Sequence, residues 1–424
     1  MTRAKSDSDS GSGLFPVALF RRPRRAARKE STRPATRSAD GASVLDGTRP
    51  LFIVHKPHQY HDELPRLFER LQADVGDSVA LGVSSWLPSG AATSHCEFNF
   101  ACEAADVRIV DPRGYLADRQ DLRVKKPSAR AAQHAPYLRD EAFPVASLLE
   151  AQRECGANLL LTSGRALNPS AALRSLAEAC DEGDEAMAAL KQGERLALNL
   201  TMSAEWLRRS ELLDDLLAEL IEKRQFRIWH VRVQWAPPAK SWHQPVDEEL
   251  LAGYRALAET ARNEERRLLL PQTGVTGWLT LAWGAAGFGT GLFGTGQAFL
   301  EEDDDSGPRK NSTIERYFER QLLHFAERTG RSELTKDQEA YRKCTCPYCG
   351  PLLAGSAWSK KHAGLHYVHS VGMLTAGVAP AGAMPHEVHE AVAGTVRAAT
   401  LFAADKRLTG QSAPAHLRTW DRVL

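Results

Sequence analysis

The run Cys344-Thr-Cys346-Pro-Tyr-Cys349 sets three thiols within six positions. Core filling does not call for such crowding. Soft thiolates aimed at one point suit Zn2+, which takes four tetrahedral ligands and is satisfied by a Cys3His set. The fourth donor lies downstream among His362, His366 and His369. His366, in Gly364-Leu-His-Tyr367, is the first choice and His369 the second; three positions apart, they share a helical face. Four protein ligands leave no open coordination position, so the ion expected here is structural. The alternative is three unmetallated thiols in a loop.

A second group of residues falls just after short apolar runs. Val110-Asp111-Pro-Arg-Gly114 puts a carboxylate there, making Asp111 the first candidate for acid, base or nucleophile. The competing reading is a turn starter, because Asp caps its own backbone. Arg113 and Arg165 have the forked geometry to hold a phosphate or carboxylate. Ser163, Gln234, Gln272 and Gly274 complete the candidate substrate-binding set, with His55, Lys56, Ser84, Trp86, Asn199, Trp235 and Thr273 at equivalent positions. Glycines crowd Thr273-Gly-Val-Thr-Gly277 and 287–296. They either offer bare N–H groups to a phosphate or let backbones pack closely. His55, His58 and His61 recur every third residue, but Pro57 interrupts any helix that would align them, and an exposed polar loop is expected. Trp229, Trp235 and Trp242 flank Pro237-Pro238 and either stack on a base or pack the rim. Cys96, Cys102, Cys155 and Cys180 read as small buried hydrophobes.

The elements that must position these groups are strands and helices in alternation. Runs rich in Val, Ile and Leu occur at 51–54, 79–83, 107–110, 158–162, 196–201, 227–234 and 267–271, with a weaker one at 286–289. Amphipathic spacing predicts helices over 169–180, 203–223 (capped by Ser203) and 246–262. Parallel strands need such crossovers, and eight repeats match an α/β fold of the (β/α)8 TIM-barrel type. An open doubly wound sheet is the competitor. No G-x-G-x-x-G turn follows the first run, which argues against its dinucleotide-binding form. The predicted organisation is a basic disordered tail (1–48), the barrel (49–300), an acidic loop (301–312) and a zinc-binding helical segment (313–424). Within the last, Tyr317, Phe318, Leu322 and Phe325 predict a helix over 314–328, and a final helix is expected over 386–401.

The chain has 424 residues, 43% of them hydrophobic, enough for a large core. Its 54 Lys and Arg nearly balance 53 Asp and Glu, which excludes a uniformly basic or a solvating acidic protein. The basic residues concentrate at 21–37, either an arm for phosphate backbones or a solvated extension. No apolar run is long enough to cross a bilayer. Seven Cys, an odd count clustered at one place, read as a reduced cytoplasmic protein with one metal site rather than a secreted disulfide framework.

The Cys-x-Cys-Pro-x-Cys run with a downstream Leu-His pair, following an α/β barrel, resembles the zinc site of the queuine- and archaeosine-type tRNA-guanine transglycosylases. The resemblance covers Cys344, Cys346, Cys349 and His366. It implies a zinc-stapled barrel that exchanges a purine base in tRNA or DNA through a covalent aspartyl intermediate. The family's acid after the third strand falls on Asp111. Its nucleophilic Asp near the last strand has no counterpart, because 287–296 reads Gly-Phe-Gly-Thr-Gly-Leu-Phe-Gly-Thr-Gly. The expected function is therefore a transglycosylase-like transferase acting on a nucleic-acid base, without a membrane partner. The alternatives are a catalytically inactive barrel serving nucleic-acid binding or assembly, and a barrel enzyme for a phosphorylated small molecule.

Overall fold

The computed structural model describes residues 41–57, 59–87, 102–118, 122–123, 144–238, 243–302, 315–328, 334, 344–350 and 358–424. All eight apolar runs form strands: β1 (Leu51–His55), β2 (Ala80–Trp86), β3 (Val107–Asp111), β4 (Leu160–Leu161), β5 (Leu196–Ser203), β6 (Ile228–Gln234), β7 (Arg267–Leu270) and β8 (Gly287–Gly291). They pair in parallel in the order β3-β2-β1-β8-β7-β6-β5-β4. A parallel bridge between Ile109 and Leu159 joins the two ends of that order. Asn158 stitches the seam, accepting from the Arg108 N–H at 2.6 Å and donating to the Asp106 carbonyl at 2.9 Å. A ring that joins β3 to β4 is a barrel and not an open doubly wound sheet.

Side chains alternate across a strand, so each strand shows one face to the barrel axis and one to the helices. The inward residues near the strand N-termini are apolar: Leu51, Ile53, Val107, Ile109, Leu161 and Leu269 form one cluster, closed from below by Val44 and Leu45 of the short helix Gly41–Asp46. Outside run α1 (Leu64–Val75), α2 (Val145–Glu154), α3 (Ala172–Ala188), α4 (Ser210–Glu222), α5 (Glu248–Asn263) and the short α6 (Gly274–Thr280). In α1 the buried stripe is Leu64, Leu67, Phe68, Leu71 and Val75. At about 1.5–3 kcal/mol per buried side chain, that stripe holds the helix to the sheet. Asp247 caps α5 by accepting from the Leu250 N–H at 3.1 Å.

The helix predicted over 203–223 is divided. Ser203 is the last residue of β5, paired with Gln234, and does not cap a helix. Arg209 is extended and separates a short helix, Glu205–Arg208, from α4. The helix predicted over 314–328 is a hairpin instead: β9 (Arg316–Glu319) and β10 (His324–Glu327) pair antiparallel, turning through Leu323 at φ 48°. Tyr317 and Leu322 pack toward the cysteine cluster, whereas Phe318 and Phe325 enter the main core. With both faces of the ribbon buried, the polar alternation that marks a strand is missing, and the remaining apolar spacing imitates a helix.

Three helices complete the chain: α7 (Lys360–Val378), α8 (Pro385–Lys406), which is longer than expected, and α9 (Leu417–Val423). Helix α7 lies across the outer faces of β1 and β8. Its Gly372 sits where a Cβ would be 3.4 Å from the Phe52 ring of β1, and its Tyr367 hydroxyl meets Thr290 Oγ1 of β8 at 3.0 Å. This is where the helix following an eighth strand belongs in such a barrel. Among the described residues no helix is long and apolar enough to cross a membrane. Cys102 and Cys180 are free and buried, as expected, but Cys155 is disulfide-bonded and so is not a free core thiol. Cys96, Trp242, His58, the tail at 1–40 and most of the acidic loop lie outside the described residues.

Candidate functional site

Toward the strand C-termini the inward side chains change from apolar to polar. Asp111 ends β3 and is 4% exposed; Arg232 on β6 is 1% exposed. They form a buried ion pair. Arg232 Nε donates to Gln272 Oε1 at 2.8 Å and its Nη1 to Thr201 Oγ1 at 3.3 Å. The second Asp111 oxygen accepts from the Arg113 N–H at 2.9 Å. The Tyr115 ring lies 4.9 Å from the Arg232 guanidinium carbon and packs edge-on against Phe299. Each charge is met by its opposite or by a hydrogen bond, which is the condition for tolerating charge at this depth.

Two histidines share the interior. His55 Nε2 accepts from the Gln272 N–H at 3.0 Å, so its proton sits on Nδ1. His230 Nδ1 faces Asn199 Oδ1 at 2.7 Å, while the Asn199 amide nitrogen donates to the Thr162 carbonyl at 3.2 Å. Burial, reinforced by Arg232, pushes His55 down to about 4 and His230 down to about 3. Both rings are therefore neutral at pH 7. Burial alone would raise the Asp111 pKa, but the charges of Arg232 and Arg113 and the Arg113 N–H outweigh it and hold the carboxyl below its ordinary value. Asp111 is an ionised acceptor and not a proton donor at neutral pH. The room for His55 comes from β8: a Cβ on Gly289 would lie 2.6 Å from His55 Nε2.

The sequence-selected residues divide into two sets. Asp111 and Gln272 contact Arg232, and Arg113 and His55 join them through the Asp111 carboxylate and the Gln272 N–H. Ser163, Arg165 and Gln234 are engaged elsewhere. The Ser163 hydroxyl donates to Glu182 at 2.6 Å, and the Arg165 fork is occupied by Asp118, with Nε at 3.1 Å from Oδ2. Gln234 brackets Arg123, accepting from its N–H at 2.9 Å and donating to its carbonyl at 3.1 Å. Ser163, Arg165 and Asn199 line a polar cleft of about 510 Å3 beside the mouth. Gly274, at φ 54°, begins α6, and a Cβ there would be 2.5 Å from the Gln297 carbonyl and 2.8 Å from the Tyr367 hydroxyl. Close packing accounts for that glycine and for those of β8. Of the three spaced histidines, His55 points inward and His61 is exposed in a 3-10 turn, so the two serve different places. Trp229 and Trp235 are buried packing residues.

Arg232, His230 and Thr201 are the members that reading only strand ends misses. The signal was present in β6, Ile228-Trp-His-Val-Arg-Val-Gln234, where polar residues alternate with apolar ones. In a strand covered by helices on one side, that polar face must look into the barrel.

The second centre lies where the cysteine turn meets α7. The sulfurs of Cys344, Cys346 and Cys349 and a ring nitrogen of His366 all lie within 4.8 Å of one another, a group able to hold a metal ion. His366 Nδ1 is 3.2 Å from Cys346 Sγ and 3.1 Å from Cys349 Sγ. Its other nitrogen, Nε2, meets the Phe318 carbonyl of β9 at 2.7 Å, which turns Nδ1 toward the sulfurs. The hairpin thus orients the ligand. His369, the second choice for fourth donor, instead faces Asp74 of α1 at 2.7 Å. No protein-family model matches the chain, and no curated protein does.

Proposed function

We propose that this chain is a zinc-stapled barrel that engages a purine base of a nucleic acid, tRNA or DNA, at its C-terminal mouth in the manner of a transglycosylase. Asp111 carries the proposal. It is the sole Asp or Glu in the eight barrel strands, it faces inward, and it stands at the strand ends where barrels place their chemistry. Kept ionised, it accepts the N–H groups of a purine edge. In an exchange it would attack the glycosidic carbon, forming a C–O bond while the base departs with the electron pair of the broken C–N bond. Arg113 and Gln272 are the proposed neighbouring contacts; Ser163, Arg165, Gln234 and Gly274 shape the surrounding rim.

The metal in this proposal is Zn2+ held by Cys344, Cys346, Cys349 and His366. Bonds of about 2.0–2.3 Å give tetrahedral edges of roughly 3.3–3.8 Å, within the spread of the donor separations. With four protein ligands the ion ties the cysteine turn to α7 and the hairpin, and it takes no part in the reaction.

One observation favours a second reading, a barrel that binds nucleic acid without exchanging a base. The inward positions of β8 are Gly287, Gly289 and Gly291, and a Cβ on Gly291 would lie 2.9 Å from Gly296 Cα. Where the resemblance puts a nucleophilic carboxylate there is backbone packed on backbone. Incubation of the protein with tRNA or single-stranded DNA, followed by denaturing electrophoresis, separates the readings. A covalent band lost in Asp111→Asn supports exchange. Salt-sensitive binding with no adduct supports the second reading, and absence of binding to both polymers defeats both.

A further inference from the structure

We infer that Trp86, with Arg113 laid against it, is a stacking platform for an unpaired base at the barrel mouth; the inference rests on the nucleic-acid reading above. Trp86 closes β2, in register with Asp111. It is 52% exposed, whereas Trp206, Trp229, Trp235, Trp278, Trp283 and Trp420 are all nearly or wholly buried. At the end of a barrel strand it leaves a large apolar surface in water. The Arg113 guanidinium carbon lies 4.0 Å from the indole centroid, and among the described residues Arg113 makes no ion pair. Its guanidinium is thus laid on a ring face.

The backbone ties the pair to the proposed reaction centre. Arg113 has φ 55°, the left-handed region that a bulky residue enters only when its surroundings fix it there. In that conformation its N–H reaches Asp111 Oδ1 at 2.9 Å while its side chain folds over Trp86. One residue therefore sets both the direction of the carboxylate and the support of the indole. A flat surface of indole and guanidinium beside a buried hydrogen-bond acceptor fits a nucleic-acid strand in which one base enters toward Asp111 and its neighbour stacks on the rim. Stacking of this kind is indifferent to base identity, because every base has a π-face. Selectivity would then reside in the contacts around Asp111 and not at the platform.

The test is binding of a short guanine-containing single-stranded RNA, and of its DNA counterpart, across a salt series. Trp86→Ala should weaken binding roughly 5- to 150-fold without changing the salt slope, since stacking releases no counterions. Trp86→Phe should retain most of the affinity. Trp86→Leu keeps apolar bulk beside Arg113 but has no ring, and should bind as weakly as the alanine variant. An unchanged melting temperature in all three is expected for an exposed residue. If the wild type binds and Trp86→Ala or Trp86→Leu binds equally well, the platform is overturned while the reading of Asp111 stands. If the wild type binds neither oligonucleotide, both are overturned.

Discussion

Asp111 and Arg232 neutralise one another inside the barrel, reaching across the axis from β3 and β6. Removing one partner leaves the other charge buried and alone, which costs about 3–5 kcal/mol. Arg232→Met should therefore lower the urea midpoint sharply. The double variant Asp111→Asn, Arg232→Met should recover much of the loss. A double variant as unstable as the single one would show that the pair is not the main interaction of either residue.

Elemental analysis should find about one zinc per chain, as four protein donors at one point require. Cys346→Ser and His366→Ala should each lose the metal and melt at lower temperature, because ligand binding and folding of the turn are coupled. His369→Ala should keep the metal and lose only its contact with Asp74. Metal retained in His366→Ala but lost in His369→Ala would reassign the fourth donor.

The sites differ in how much of them the sequence exposes, for physical reasons. Thiols at Cys344, Cys346 and Cys349 are rare, close together and useful for little besides metal, so the motif is readable without a fold. The strands were readable because fully covered strands are short apolar runs between helices. Arg232 is not legible from strand ends, because it sits two residues before the end of β6 and reaches Asp111 through the length of its side chain. The hairpin 316–327 has no strand signature because both its faces are buried, and the orientation it gives His366 through the Phe318 carbonyl has no side-chain signature at all.

Stability should fall as the solution is acidified. An unfolded histidine takes up its proton near pH 6.5, whereas His55 does so only near about 4 and His230 near about 3. Between those values the unfolded state binds more protons, so stability drops as pH falls below about 6.5 and levels off beneath the folded pKa values. Asp111, with its lowered pKa, adds a loss at the acid end as it is protonated. Urea midpoints should be clearly lower at pH 5 than at pH 7. His230→Gln, which keeps a donor for Asn199, should flatten that dependence. Equal midpoints at the two pH values in the wild type would mean that these rings are already charged in the fold.

The glycines of β8 give the last discrimination. A Cβ on Gly289 would stand 2.6 Å from His55 Nε2 and 3.2 Å from Pro271 Cα, so Gly289→Ala must push the imidazole off the Gln272 N–H or spread the strands. Overpacking of this kind costs about 1–3 kcal/mol. Gly394 on the exposed side of α8 has nothing within 4 Å of an added Cβ, so Gly394→Ala should be neutral or stabilise by about 0.5–1 kcal/mol. Thermal melts of the two variants make the comparison. A Gly289→Ala protein that melts like the wild type but has lost affinity for inorganic phosphate would mean that the bare backbone serves an anion. A destabilised one means that the glycine is there to make room for His55.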